Sequence, residues 1–299
     1  MGAHDEFDRD WPYHTASFAA LGHHFAFRLA DPQLGAYLDR ALAPLTAASP
    51  AATWWTVVDR GDASAAEHRF VVYRGAGRLF EADSADDLVP LLLWWVNRVV
   101  CFETAHRIMV HAAVAAGPAG AVLLPAPAES GKTTLVAGLV GAGFAYLTDE
   151  AAAVDPATGA IEAYPKALSV DPGSWALFPH LRPDLPAELG HYVAKQWHVP
   201  PDAIRPGAAV ASARPVWIIT PRYEAGAATT IEPLSRPDAL ALLARESFNL
   251  ARFRQPGLEA LAAVVRACSC WRLVSGSLDE AVEAVQSVAG PAGAGASPS

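Results

Sequence analysis

One short segment restricts the fold of this chain more than any other. An apolar run at residues 121–125 predicts a buried strand, a loop of small residues follows at 126–130, and residues 131–139 show helical periodicity. The apolar runs at 108–116 and 144–147 predict further strands on either side. The segment therefore predicts a β-hairpin that leads into a strand, loop, helix and strand unit.

The loop in this unit has the pattern of a phosphate-binding Walker A loop in which Ala126 replaces the first glycine. Alanine is compatible with that position where its φ angle is negative. Lys132 would reach the β- and γ-phosphate oxygens and Thr133 would bind Mg²⁺, while the helix N-terminus favours the anion. A chance match on a surface helix is the structural alternative. The residues expected to bind ATP are Ala126, Ala128, Glu129, Ser130, Gly131, Lys132, Thr133 and Thr134.

Two adjacent acids, Asp149 and Glu150, follow the strand predicted at 144–147. Carboxylates at the C-terminal end of a strand beside a phosphate loop commonly hold Mg²⁺ or the attacking hydroxyl. We therefore expect Asp149 to accept the proton of an attacking hydroxyl, and Glu150 or its water shell to hold the metal together with Thr133. Asp149 is a further candidate metal ligand. The structural alternative is a capping or turn carboxylate.

The order and spacing of these pieces resemble the HPr serine kinase/phosphorylase superfamily, in particular its HPr-kinase-related branch. The resemblance covers roughly residues 88–288 and rests on segments 108–114, 126–134 and 143–150, with further pieces at 88–97, 164–169 and 220–223. It implies an α/β fold with a compact P-loop core, a mixed β-sheet and helices, related to that of phosphoenolpyruvate carboxykinase. By position, His111 resembles the family's histidine beside the phosphate site, Lys132 its phosphate lysine, Thr133 its metal hydroxyl and Asp149 its catalytic acid.

The chain also departs from this family. Glu150 stands where the family often has a second aspartate. The arginine- and glycine-rich segment that bacterial HPr kinases carry after the core does not occur, and residues 162–166 stand in its neighbourhood. The first departure speaks against a direct metal role for Glu150. The second speaks against the phosphorylase reaction and, with it, against HPr as the substrate.

Several other residues are candidates with a structural alternative. His111 lies in an apolar strand, where an isolated histidine is more often a core residue. Lys166 is either a solvated loop charge or a second cation near the γ-phosphate.

Segment 172–206, with seven prolines, predicts a long ordered loop bordering the phosphate site. Its cationic rim would comprise Lys166, Arg182, Lys195 and Arg205, and the candidates for a phosphoryl-clamping arginine are Arg222, Arg252 and Arg254.

Three domain-level units are expected. Residues 1–84 predict a small α+β module, with a strand at 23–29 and a hairpin turn at 74–77. Residues 85–288 would form the P-loop kinase domain, which opens with a long buried helix between 88 and about 108. Residues 289–299, rich in alanine, glycine and proline, predict a flexible tail.

Composition excludes some functions. There are 22 Lys and Arg against 31 Asp and Glu, a net charge of −9, so a surface that tracks nucleic-acid phosphates is not expected. The longest apolar run, 88–96, falls short of the roughly 20 residues that span a bilayer. The N-terminal residues are polar and unlike a signal peptide, and three cysteines do not form a disulfide framework. These features predict a cytoplasmic protein with reduced cysteines.

Together the patterns predict an ATP- and Mg²⁺-dependent kinase that transfers the γ-phosphoryl group to a hydroxyl, in first place a serine of a peptide or small protein. Three alternatives stay open: a kinase of a small metabolite such as a sugar or alcohol, a carboxykinase-like enzyme, and a nucleotide-sensing module without turnover. The acceptor and the oligomeric state, including a homo-oligomer, are not determined by the sequence.

Overall fold

The computed structural model describes residues 10–61 and 68–289. Over these ranges the chain is a mixed α/β protein with eight α-helices and three β-sheets. The helices are α1 (Pro32–Ala41), α2 (Ala85–Glu103), α3 (Lys132–Gly141), α4 (Pro172–Trp175), α5 (Pro201–Ile204), α6 (Arg236–Arg245), α7 (Leu250–Ala267) and α8 (Leu278–Ala289). The strands are β1 (Tyr13–His14), β2 (Phe18–Ala20), β3 (His23–Leu29), β4 (Thr53–Asp59), β5 (Phe70–Arg74), β6 (Gly77–Ala82), β7 (Ile108–Gly117), β8 (Gly120–Pro125), β9 (Ala145–Thr148), β10 (Ala151–Val154), β11 (Ile161–Glu162), β12 (Leu168–Val170), β13 (Trp197–Val199), β14 (Ser212–Ala213), β15 (Pro215–Tyr223), β16 (Thr230–Pro233) and β17 (Ser269–Ser275).

The N-terminal residues form a six-stranded sheet, which we call the small sheet. Its order is β1-β3-β4-β5-β6, with β2 also paired to β3, and the β3–β4 pair is parallel. Helix α1 begins at Pro32 because the Asp31 side chain accepts a hydrogen bond from the N–H of Gln33 and proline fits the first helical position. The turn predicted at 74–77 is confirmed, since β5 and β6 pair antiparallel across it.

The large sheet has nine strands in the order β14-β11-β10-β7-β8-β15-β17-β16, with β9 also paired to β7. Strand β8 pairs antiparallel with β7 and parallel with β15, and β15 is parallel to β17. Gly120, at the β7–β8 turn, has a φ of 140°, and a side-chain carbon there would lie 2.4 Å from Val216. The predicted hairpin and strand, loop, helix and strand order are therefore confirmed, and the loop leaves the sheet at the end of β8.

Helices cover both faces of the large sheet, which produces a three-layer core. On one face α3 and α8 pack against β8 and β15 through apolar side chains such as Val136, Val140 and Val285. On the other face α6 and α7 pack through Leu243, Leu261 and neighbouring residues. The apolar spacing of α7 and α8 explains why each turns one side to the sheet, whereas α3 is apolar and buried around most of its surface.

Helix α2 connects the two sheets. Its side chains Leu88, Leu92 and Val96 lie in one buried cluster with the small sheet and with Met109 of β7 and Ala153 of β10. The predicted buried helix is thus confirmed, but it ends at Glu103 rather than near residue 108. The chain leaves the helix at Thr104, whose φ and ψ of −59° and 120° are extended.

Segment 172–206 is not one unbroken loop. It holds the short helices α4 and α5, two 3-10 turns at 179–181 and 187–193, and strand β13, which pairs with β12. The prolines prevent any long helix, as expected, but they begin short ones, since proline suits the first helical turn. The predicted tail at 290–299 lies outside the described residues. No helix among residues 10–61 and 68–289 is long and apolar enough to cross a membrane.

Candidate functional site

The loop between β8 and α3 curls tightly because two of its residues adopt left-handed backbone angles. Glu129 has a φ of 60° and Gly131 a φ of 90°. Ala126 is fully buried and has a negative φ, so alanine in place of glycine is not strained there. Helix α3 starts without a side-chain cap, which leaves its first N–H groups facing the loop. The hydroxyl of Thr134, on α3, lies 2.6 Å from the hydroxyl of Ser174 on α4.

Lys132 folds back under this loop. Its Nζ donates hydrogen bonds to the carbonyl oxygens of Ala126 at 2.7 Å and Pro127 at 2.6 Å, and lies 3.5 Å from the Ser130 hydroxyl. The residue is only 6% exposed. Burial lowers the pKa of Lys132 to about 8, although three nearby carboxylates act in the opposite direction. The ammonium group therefore lies in a site where an additional anion would stabilise its charge.

Asp149 is the centre of a buried hydrogen-bond network. Its Oδ1 accepts from Lys166 Nζ at 2.8 Å and from the Tyr146 hydroxyl at 3.0 Å. Its Oδ2 accepts from the N–H of Ser169 at 3.1 Å and lies 3.4 Å from the Thr133 hydroxyl. Three donors hold the carboxylate at 2.8–3.1 Å, while the Thr133 contact is longer, and the side chain holds the start of α3 against the segment that contains Lys166.

The neighbouring acid, Glu150, is in a different environment. Its backbone N–H donates to the Thr148 hydroxyl at 3.2 Å. Within the described residues, no group donates a hydrogen bond to its carboxylate. Burial, with the charge of Asp149, raises the pKa of Glu150 against the opposing effects of Lys166 and Lys132. The pKa of Lys166 is also raised, because the two carboxylates outweigh the effect of its burial. Among the described residues, Glu150 is therefore the acid whose carboxylate has free lone pairs, and its pKa is raised.

A second acid-base pair lies on the other side of Lys132. His111 lies on β7, and its ring Nδ1 is 3.5 Å from Glu246 Oε2. The backbone N–H of His111 donates to the backbone carbonyl of Glu246 at 2.8 Å. Burial and the charge of Lys132 lower the pKa of His111, while Glu246 acts to raise it. The ring also contacts Phe248, with centroids 5.5 Å apart. His111 is therefore a neutral, partly exposed group beside the loop.

The structure corrects the expectation of a cationic rim. Lys166 is neither a solvated loop charge nor on a rim, because it is buried and paired with Asp149. Lys195 pairs with Asp87 on α2, and Arg205 donates to backbone carbonyls at the end of α3. Arg222, a candidate for clamping phosphate, is exposed and pairs with the nearby Glu224.

Six of the residues singled out in the sequence fall into one region. Thr133, Asp149 and Lys166 share hydrogen bonds, while Lys132, Glu150 and His111 surround them. Sequence reasoning missed Tyr146, Ser169 and Glu246. Tyr146 carries a signal that was available, since a tyrosine three residues before the acid is a polar group in an apolar strand. Glu246 carries none, because only the tertiary fold brings it to β7.

Comparison with known proteins adds no assignment to this site. No protein-family model matches the chain, and no curated protein sequence matches it.

Proposed function

We propose that the chain is an ATP- and Mg²⁺-dependent kinase with an HPr-kinase-related P-loop core, acting on a hydroxyl of a polypeptide. The observation that carries the proposal is Lys132, a buried ammonium group held under a tight loop at the uncapped start of α3. Helix N-termini and buried lysines of this kind bind phosphate oxygens. The residues also suit Mg²⁺, because Thr133 and Asp149 present a hydroxyl and a carboxylate oxygen 3.4 Å apart.

Each group then has a defined part in binding. Lys132 would exchange its two carbonyl partners for the β- and γ-phosphate oxygens, and the first N–H groups of α3 would bind the same phosphates. Mg²⁺, when bound, neutralises charge on the transferring phosphoryl group. Lys166 fixes the Asp149 side chain in place, because a buried carboxylate is stable only when it is paired.

The geometry favours Glu150 as the proton acceptor, which reverses the division of labour expected from the sequence. Protonation of Asp149 would break its ion pair with Lys166, whereas Glu150 has free oxygens and a raised pKa. In the proposed reaction the acceptor oxygen bonds to the γ-phosphorus as the bond from that phosphorus to the oxygen of ADP breaks. The hydroxyl proton goes to Glu150. Asp149 and Thr133 then form the metal side of the site.

The test compares Asp149→Asn with Glu150→Gln by ATP binding, by a Mg²⁺ titration and by phosphoryl transfer from labelled ATP to a serine-containing peptide pool. We expect Glu150→Gln to bind ATP normally and to lose about 10²- to 10⁴-fold in rate, the usual contribution of a general base. Asp149→Asn should raise the Mg²⁺ requirement. Glu283→Gln, on the exposed side of α8, is the matched control.

Two results would contradict this proposal in different ways. If Asp149→Asn shows the rate defect and Glu150→Gln the metal defect, the roles of the two acids are reversed. If the wild-type protein binds ATP and transfers no phosphoryl group to any acceptor, the nucleotide-sensing alternative replaces the kinase.

A further inference from the structure

An unusual surface lies on the outer side of α2. Leu91, Trp94, Trp95, Arg98 and Phe102 recur at helical spacing and define what we call the α2 face. Trp94 is 52% exposed, Phe102 39% and Leu91 37%. Isolated exposed apolar residues are ordinary, but a contiguous row of large ones marks an interaction site.

The side chains of the α2 face hold one another in place. Trp95 stacks on Phe80 of the small sheet with ring planes 6° apart, and Trp94 meets Trp95 edge-on at 5.2 Å. The guanidinium of Arg98 lies 5.6 Å from the Trp94 ring, 5.6 Å from Trp95 and 4.8 Å from Phe102. The face is therefore ordered before any partner arrives, which lowers the entropic cost of binding.

The charge on the α2 face is positive, although the whole chain carries −9. Arg98 forms no ion pair with any residue in the described parts of the chain. The acid beside Phe102, Glu103, is already bound by Arg74 at 2.6 Å, and Arg252 also lowers its pKa after the larger effect of Arg74. An acidic partner is thus favoured here over a basic one.

The α2 face continues into the proposed phosphate site. Phe102 contacts Phe248 with ring centroids 5.3 Å apart, and Phe248 contacts His111 at 5.5 Å. His111 in turn is close enough to Lys132 for the ammonium charge to lower the pKa of the imidazole. From Leu91 to Phe102 the helix rises about 16 Å, the length of about five residues of extended polypeptide.

We propose that the α2 face docks the acceptor of the proposed kinase, as an extended acidic segment of polypeptide that carries aromatic or aliphatic side chains. Its carboxylates would bind Arg98, its apolar side chains would pack on Trp94 and Phe102, and its hydroxyl-bearing residue would lie at the Phe248 end, toward His111. This proposal rests on the proposed function, because it names the substrate class of the same site.

Two other occupants fit the α2 face less well. In a two-fold contact between copies of this chain, the same patch meets itself, which brings Arg98 toward its own copy without an acid between them. An anionic membrane surface would be repelled by the net charge of −9.

The test measures peptide binding without nucleotide, by fluorescence anisotropy. The probe is a labelled peptide pool of about ten residues each, in which one serine is combined with phenylalanine and glutamate. A matched pool has lysine in place of glutamate. We expect the acidic pool alone to bind, and Trp94→Ala or Arg98→Glu to weaken binding about tenfold or more, as hot-spot residues do. Trp94→Phe should restore most of the affinity, and ATP binding should be unchanged in all three variants.

The controls change exposed residues elsewhere. Leu177→Ala removes an apolar side chain that is 50% exposed, and Arg266→Glu reverses an exposed charge near the end of α7. Both should bind the acidic pool like the wild type.

Three results would each overturn the docking proposal. The wild-type protein does not bind the acidic pool, or Trp94→Ala and Arg98→Glu both bind it as tightly as the wild type does. The third is a dimer in light scattering that Trp94→Ala dissociates. The proposed function fails separately, when the wild-type protein binds no ATP. Peptide binding is measured without nucleotide, so the docking assay gives its result whether or not the protein binds ATP.

Discussion

The buried pair of Lys166 and Asp149 allows a sharp test of how this site is held together. In Lys166→Met the cation is lost, and the Asp149 carboxylate, whose side chain is 1% exposed, stays buried without its charge partner. Three weaker donors remain to it, the Tyr146 hydroxyl, the Ser169 N–H and the Thr133 hydroxyl. Removal of one partner from a buried ion pair costs about 3–5 kcal/mol. We expect Lys166→Met to lose that much of the free energy of unfolding.

Urea unfolding measures the loss, with fluorescence of the nine tryptophans and far-ultraviolet circular dichroism as two probes. A loss of about 3 kcal/mol corresponds to a midpoint lower by roughly 1 M urea or more. The matched control is Lys195→Met, which removes the lysine of another Lys–Asp pair, with Asp87. In that pair Lys195 is 53% exposed, so the variant should lose at most about 1 kcal/mol.

A double variant completes this test. Asp149→Asn combined with Lys166→Met leaves no unpaired buried charge, so it should be more stable than the Lys166→Met single variant. The reasoning is refuted if Lys166→Met loses no more stability than Lys195→Met. It is also refuted if the two single losses simply add in the double variant.

Two further predictions concern Lys132 and Asn249. Because burial lowers the pKa of Lys132 to about 8, the lysine loses its charge as pH rises above about 8. ATP affinity should then fall by up to about tenfold per pH unit. Calorimetry in this pH range should show that the protein takes up a proton when ATP binds. Lys132→Arg, which stays charged, should show no such fall, and an unchanged affinity in the wild type up to about pH 9.5 would contradict the assignment. Asn249→Ala removes hydrogen bonds to the Met109 N–H at 2.9 Å and to the carbonyls of Thr104 at 2.8 Å and Arg107 at 2.9 Å. It should lower the free energy of unfolding by about 3 kcal/mol or more, and a loss under about 1 kcal/mol would show that these groups find other partners.

The local parts of the site could be predicted from the sequence. The strand, loop and helix that carry Lys132 and Thr133 are contiguous, and Asp149 follows the next strand, so short-range patterns suffice to place all three. The chemistry of Lys166 was not predictable. Its ion pair forms because the segment after β11 folds back over Tyr146, whose hydroxyl oxygen lies 3.0 Å from the Lys166 carbonyl oxygen.

Long-range pairing explains the remaining differences. Glu246 reaches His111 across 246 − 111 = 135 residues, through a backbone hydrogen bond that no local pattern encodes. The end of α2 was misplaced because the apolar residues of β7 begin only a few residues later, and hydrophobicity alone does not separate a buried helix from a buried strand. In the structure the helix stops at Thr104, whose backbone angles are extended and whose hydroxyl donates to the Val100 carbonyl at 2.7 Å.

The buried cluster shared by α2 and both sheets has a consequence for how the chain unfolds. A fold divided between two separate cores can lose one while the other survives, but here Leu88 and Leu92 belong to one buried cluster that also includes Phe27 of the small sheet and Met109 of the large sheet. Opening of the small sheet therefore exposes the cluster that includes Met109, two residues before His111 on β7. Amide hydrogens of β3 and β7 should therefore exchange with solvent in one cooperative event. A destabilising substitution in the small sheet would then disrupt the site by lowering the fraction of folded protein.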